Sequence, residues 1–227
     1  MSETRLSGIR ACVFDAYGTL FDVHSAVGRL AAEIGPGAEA LSRLWRTKQL
    51  EYTWLRALMG RHADFWQVTG EALDYALEAT AVDPGVRERL MEAYLALDAY
   101  PEVPAVLERL RAAGLRVAIL SNGEGRMLAA GARSAGIEDL LDATLSVEEV
   151  GVYKPHPEVY RLAVERLGVE AGAIAFQSSN AWDIHGASTF GLRAVWINRT
   201  RAPRERLPGG AEAELADLSG LPALLGL

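Results

Sequence analysis

Four short apolar runs break off abruptly at polar or small residues: Ala11–Phe14, residues 115–120, residues 173–176 and Arg193–Ile197. Each has the length of a strand, and unbroken apolar character over that length is what a strand buried on both faces requires. Helical patterns separate the last three, over residues 124–135, Pro157–Leu167 and Ala181–Phe190. A further helix over 103–113 closes on Gly114 and feeds the second run. Strand and helix in alternation predict a parallel sheet with crossover helices, an α/β fold with a Rossmann-like core.

Between the first run and the rest lies a stretch with no strand-like segment. It reads as helical: Ala38–Met59, preceded by Pro36-Gly37 and followed by Gly60, carries Leu41, Leu44, Trp45, Tyr52, Leu55 and Met59 at helical spacing, and two more helices are predicted over 64–81 and 84–97. An all-helical insertion directly after the first strand of a parallel sheet is expected to cap the sheet's C-terminal edge, where open α/β sheets bind ligands. The expected division is a core of residues 1–22 and 99–227 with a helical cap domain of residues 23–98. Residues 199–210, rich in Arg, Pro and Gly, read as a surface loop.

Composition narrows the function classes. The chain has 227 residues, half of them apolar, and a net charge of −7, which argues against a general nucleic-acid or anionic-membrane binder because phosphate neutralisation needs a surplus of Lys and Arg. Residues 1–10 are polar and Asp15 interrupts the apolar run behind them, so no signal or membrane-spanning segment is expected there, and the protein is expected in the cytoplasm. Cys12 has no partner for a disulfide and lies within a predicted strand, as a small core residue does. His24, His62, His156 and His185 are scattered without metal-ligand spacing.

Polar clusters follow the strands. After the first comes Asp15-Ala16-Tyr17-Gly18-Thr19; after the second, Ser121-Asn122-Gly123; ahead of the 157–167 helix, Tyr153-Lys154-Pro155; after the 173–176 run, Ser178-Ser179-Asn180-Ala181-Trp182-Asp183. Parallel topology brings all four to one sheet edge. A carboxylate at that rim with a lysine beside it stays ionised, and therefore nucleophilic, at neutral pH.

These clusters resemble the haloacid dehalogenase superfamily and, within it, the L-2-haloacid dehalogenases. The closer resemblance rests on Phe14-Asp15-Ala16-Tyr17-Gly18-Thr19-Leu20, on the cap segment from Trp45-Arg46 through Lys48-Gln49-Leu50-Glu51-Tyr52-Thr53-Trp54-Leu55-Arg56, and on residues 178–183. It implies that Asp15 attacks C2 of a 2-haloalkanoate, expels halide and forms an aspartyl ester, which water then hydrolyses. One displacement at carbon converts the (S)-substrate into the (R)-2-hydroxy acid. Asp183 is implied to orient or deprotonate the water, and Lys154 to hold both aspartates charged. Arg46, Asn122 and Trp182 are implied to cradle the leaving halide, and Ser121 with nearby backbone N–H groups to receive the substrate carboxylate. Tyr17, Leu50, Phe65 and Trp182 wall the alkyl side, and Thr19, Tyr160, Ser178 and Asn180 support the site by hydrogen bonds. No metal and no cofactor is expected, and a homodimer is.

The superfamily's magnesium phosphatases are the first alternative. They resemble one another in a second aspartate two residues after the nucleophile, which protonates the leaving oxygen, and in acidic residues at the fourth strand's end that hold Mg²⁺. Here those places read Tyr17 and Ser178-Ser179-Asn180. A halide departs without a proton, so loss of the acid costs dehalogenation nothing. A non-catalytic binding protein on the same fold is the second alternative, opposed by the joint presence of Asp15, Lys154 and Asp183.

Overall fold

The computed structural model describes residues 5–227; Met1–Thr4, part of the polar start, lie outside them. Six strands, β1 (Ala11–Phe14), β2 (Arg116–Ser121), β3 (Ala143–Ser146), β4 (Ile174–Ser178), β5 (Arg193–Ile197) and β6 (Ala213–Leu215), form one sheet in the order β3-β2-β1-β4-β5-β6. Every adjacent pair is parallel. Five helices lie between β1 and β2 in the chain, and the first four of them make up the helical insert: α1 (Ser25–Ile34), α2 (Ala38–Met59), α3 (Phe65–Thr80) and α4 (Arg87–Tyr94). The remaining helices are α5 (Val103–Ala112), α6 (Gly125–Ser134), α7 (Pro157–Leu167), α8 (Ala181–Phe190) and the short α9 (Leu221–Leu224).

The α/β architecture is the expected one, and two edge strands add to it. β3 and β6 pass as loops in the sequence because they lie outside the doubly buried centre: only the second half of β3 is buried, and β6 has no fully buried residue. The helix predicted over 84–97 is shorter, opening with a 3-10 turn at Pro84–Val86 and running only over Arg87–Tyr94. Helix ends elsewhere follow local chemistry. The Asp64 side chain accepts the Gln67 N–H at 2.7 Å to start α3, and Gly60 in the left-handed region (φ 62°) ends α2.

The register places the site. Phe14 lies opposite Ile119 on one side and Gln177 on the other, so β2, β1 and β4 end almost level. The chain order reverses across β1 and β4, the place where a crevice opens beyond the strand ends. The Asp15 N–H donates to the Gln177 carbonyl at 2.9 Å, extending the ladder by one residue and holding the first polar residue at the rim.

One residue in this core contradicts its surroundings. Gln177 is fully buried in β4, and neither its side-chain oxygen nor its nitrogen has a hydrogen-bond partner. By strand alternation it faces away from the Ser178 side. An unsatisfied buried amide costs about 1–3 kcal/mol, so Gln177→Leu should raise the thermal midpoint by a few degrees while leaving the site geometry intact. A midpoint in differential scanning calorimetry that stays level or falls would contradict this.

Candidate active site

Asp15, 5% exposed, stands one residue beyond β1 and divides its two oxygens between different partners. Lys154 Nζ donates to Oδ1 at 3.2 Å. Oδ2 accepts from Asn180 Nδ2 at 2.8 Å, Thr19 Oγ1 at 3.1 Å and Ser178 Oγ at 3.4 Å. The turn that follows needs Gly18: its φ of 91° suits glycine, and a Cβ there would come 3.0 Å from Ser179 Oγ. Thr19 is held in turn by the Ser179 N–H, which donates to its Oγ1 at 2.8 Å.

Lys154 has no exposed surface and is bracketed by two carboxylates: its Nζ also donates to Asp183 Oδ2 at 2.9 Å. The Phe176 ring lies 4.9 Å beneath the ammonium. Asn122 Oδ1 accepts the Lys154 backbone N–H at 3.0 Å, which ties the end of β2 to the lysine and leaves the Asn122 side-chain NH₂ as its donor. Tyr160 Oη donates to Asp183 Oδ1 at 2.8 Å. Burial pushes the Asp183 carboxyl up to about 6, with the negative charge of Asp15 adding to the shift and Lys154 and Tyr160 opposing it. The lysine therefore offsets the burial of Asp183 only in part. Burial and the Asp183 charge hold the Tyr160 hydroxyl well above the usual phenol range, so it remains a donor.

The helical insert supplies a guanidinium. Arg46, on α2, donates from Nη2 to the Tyr17 carbonyl at 3.2 Å and to Asn180 Oδ1 at 3.3 Å, and from Nη1 to Gln49 Oε1 at 2.9 Å. Leu50 and Trp54 follow one and two turns later on the same stripe, and Trp54 meets Trp182 edge-on at 5.3 Å. The Tyr17 ring is the hub between insert and core, 5.3 Å from Phe65 and stacked on Tyr94 at 5.6 Å. Ser121 is buried at the end of β2, where its Oγ accepts the Gly123 N–H at 3.1 Å.

The expected residues thus fall at one sheet edge, in a core group of Asp15, Thr19, Lys154, Tyr160, Ser178, Asn180 and Asp183 joined by hydrogen bonds. Arg46 reaches this group through Asn180, and the aromatic residues surround Tyr17. Arg199 was not among them. Read as the start of a surface loop, it instead donates from Nη2 to the Thr19 carbonyl at 2.9 Å, pairs with Glu102 at 2.7 Å and lies 3.6 Å over the Tyr100 ring. Only from residue 200 onward does that loop turn outward. His185 points elsewhere, its Nδ1 lying 2.9 Å from the Pro208 carbonyl. Among the described residues, no three of His, Cys, Asp and Glu gather as a metal cage. Cys12 is buried and free, and burial pushes its thiol up to about 12, as befits a core residue.

Such an arrangement suits two-step acyl-type chemistry. A carboxylate oxygen held by a single cation is available to attack, and the other oxygen, met by three donors, is prepared for the negative charge of a tetrahedral intermediate at the same carbon.

Residues 9–191 match the model of the haloacid dehalogenase-like hydrolases. The chain is 51% identical over 219 residues to (S)-2-haloacid dehalogenase 1 of Pseudomonas sp. (strain CBS-3), covering 96% of each protein. A solved dehalogenase structure described as an intermediate complex superposes with a TM-score of 0.95 at 49% identity, over 97% of this chain and 98% of that one. The L-2-haloacid dehalogenase of Xanthobacter autotrophicus, solved with chloropropionic acid covalently bound, superposes with a TM-score of 0.87 at 39% identity, over 96% and 98% of the two chains.

Proposed function

The chain belongs to the haloacid dehalogenase-like hydrolases, and on that premise we propose that it is an (S)-2-haloacid dehalogenase, hydrolysing L-2-haloalkanoates to (R)-2-hydroxyalkanoates and halide. The observation that carries the reading is the division of labour at Asp15: one oxygen faces Lys154 alone and the other accepts from Thr19, Ser178 and Asn180. Asp15 Oδ1 attacks C2 opposite the halogen, and the C–X electron pair leaves with the halide toward Arg46, Asn122 and Trp182. The substrate carboxylate rests at Ser121, and Tyr17, Leu50, Phe65 and Trp182 exclude water from the alkyl side. Water then attacks the Asp15 carbonyl carbon, giving its proton to Asp183. The charge gathers on Oδ2 and collapses, breaking the ester C–O bond; the expelled product oxygen takes the proton from Asp183, the proton left on the Asp15 carboxyl passes to solvent, and the 2-hydroxy acid departs with both carboxylates restored. Lys154, held against both aspartates, supplies the positive charge for both steps, and Tyr160 orients Asp183.

No step in this reading calls for a metal, since Arg46 and Lys154 carry the charge. Tyr17, buried against Phe65 and Tyr94, stands where a phosphatase needs an acid, and it supplies no proton because burial holds its hydroxyl well above the usual range. Residues 23–98 act as the cap domain over a core of residues 1–22 and 99–227. The enzyme functions as a homodimer in the cytoplasm; Leu58 and Met59, 85% and 63% exposed at the end of α2, support the former, and no helix among the described residues is long and apolar enough to cross a membrane. The test is halide release from each enantiomer of 2-chloropropionate, with p-nitrophenyl phosphate plus Mg²⁺ in parallel. Release from the (S)-enantiomer with (R)-lactate as product is expected; phosphate release without dehalogenation would favour the phosphatase alternative.

The two steps should respond differently to acid. Asp183, with its carboxyl raised to about 6, is an ionised base above that pH and a neutral acid below it. Ester hydrolysis should therefore slow by about tenfold per pH unit below 6, whereas halide expulsion does not use this base. At pH 5 rapid-mixing experiments should show one equivalent of halide released quickly, then slow turnover. A progress curve without that burst at pH 5 would contradict the role of Asp183.

A further inference from the structure

Arg46 is fixed from behind by a side chain outside the set of residues assigned above. Gln49 is 1% exposed on α2, and both ends of its amide are engaged. Its Oε1 accepts from Arg46 Nη1 at 2.9 Å and from Tyr94 Oη at 3.1 Å, while its Nε2 donates to Thr69 Oγ1 at 2.7 Å. The direction of the amide is dictated by its neighbours. The Thr69 hydroxyl donates to the Phe65 carbonyl at 2.6 Å, so its oxygen can only accept from Gln49, and both Arg46 and the Tyr94 hydroxyl are donors. The Gln49 oxygen must therefore face the guanidinium, and the chain Phe65, Thr69, Gln49, Arg46 runs as one line of hydrogen bonds from α3 through α2 to the site.

We propose that Gln49 is a positioning residue that aims Arg46 at the departing halide while leaving its charge uncancelled. The inference rests on the dehalogenase reading. A neutral amide oxygen aligns a guanidinium by one hydrogen bond and contributes no net charge; a carboxylate in the same place would form a buried ion pair and neutralise the field the leaving halide meets. The remaining partners of Arg46, the Tyr17 carbonyl and Asn180 Oδ1, are also uncharged. All three acceptors on this arginine are thus neutral, unlike the carboxylate-paired Arg29, Arg56, Arg87 and Arg89 elsewhere on the helical insert.

Three variants test the proposal through inhibition by bromide and the ratio of rates on 2-bromo- and 2-chloropropionate, readouts that cap packing alone would not move. Gln49→Glu should weaken bromide inhibition by about tenfold or more, the scale of one charge-assisted hydrogen bond. It should also slow the chloro substrate more than the bromo substrate, since the poorer leaving group depends more on the cradle. Thr69→Val removes the anchor of the Gln49 amide without adding charge and should shift both readouts in the same direction by a smaller factor; Thr69→Ser should restore them. If Gln49→Glu does not fold, the Thr69 pair decides. Wild-type halide release together with unchanged bromide inhibition and halogen ratio in the folded variants overturns the inference, whatever happens to their melting temperatures. No halide release by the wild type overturns the functional reading instead.

Discussion

Asp15→Asn should lower halide release from (S)-2-chloropropionate by about 10⁴-fold or more, because the variant keeps the shape of the site and loses the nucleophile. The substitution leaves Lys154 paired with Asp183 at 2.9 Å and removes one of two nearby negative charges, so the fold should survive. Near-UV circular dichroism matching the wild type would establish that the loss is chemical. Residual turnover within tenfold of wild type would mean that Asp15 is not the group that attacks.

Lys154→Met should be the most damaging change to both activity and stability. The ammonium is fully buried between Asp15 and Asp183, and a thioether of similar length leaves two carboxylates facing each other without a counter-ion. Removing one partner of a buried charge network costs about 3–5 kcal/mol. The sign of the pH dependence follows from Asp183: its folded-state proton affinity already lies above that of the unfolded chain, and without the opposing lysine it rises further. The variant's deficit should therefore be largest at pH 8 and shrink as the pH falls and the pair takes up a proton. Urea denaturation at pH 8 and pH 5.5 checks this; a deficit that grows on acidification would contradict the placement of Lys154 as the shared counter-ion. Dehalogenation should be lost at either pH, since the cation that positions Asp15 for attack and opposes the burial of Asp183 is gone.

How far the sequence discloses this molecule depends on how strongly burial marks each segment. β1, β4 and β5 lie in the sheet centre and read as unbroken apolar runs, and Ala38–Met59, Pro157–Leu167 and Ala181–Phe190 are delimited by Pro and Gly, so their bounds match the observed helices. β3 and β6 are half-exposed edge strands of four and three residues and carry no such signal. The residues proposed to act through their own chemistry stand out by their places: Asp15 directly follows an apolar strand, Asp183 lies in the first turn of the helix after β4, and Lys154 precedes Pro155 ahead of α7. Supporting residues are harder to see. Arg199 lies at the head of a segment that is otherwise a solvated loop, and its hold on the Thr19 carbonyl depends on a sheet edge bringing positions 180 residues apart together. Gln49 is one polar position among many on a long helix. Beyond its place in the cap segment that carries the resemblance, its mark in the sequence is that it falls three residues after Arg46, within reach on the same helix face.

The account stands or falls on the covalent ester at Asp15, and single-turnover hydrolysis in ¹⁸O-water tests it most directly. With enzyme in excess over (S)-2-chloropropionate, attack by Asp15 on carbon followed by attack of water on the Asp15 carbonyl carbon puts the label into the Asp15 side chain. The first-turnover lactate then carries an unlabelled protein oxygen. Mass spectrometry of the peptide containing Asp15 should show that gain, and Asp183→Asn, which lacks the base for the second step, should accumulate the ester as a larger mass increase on the same peptide. Label found in the first-turnover lactate, with none in Asp15, would mean that Asp15 deprotonates a water that attacks C2 directly, and would contradict the nucleophilic mechanism.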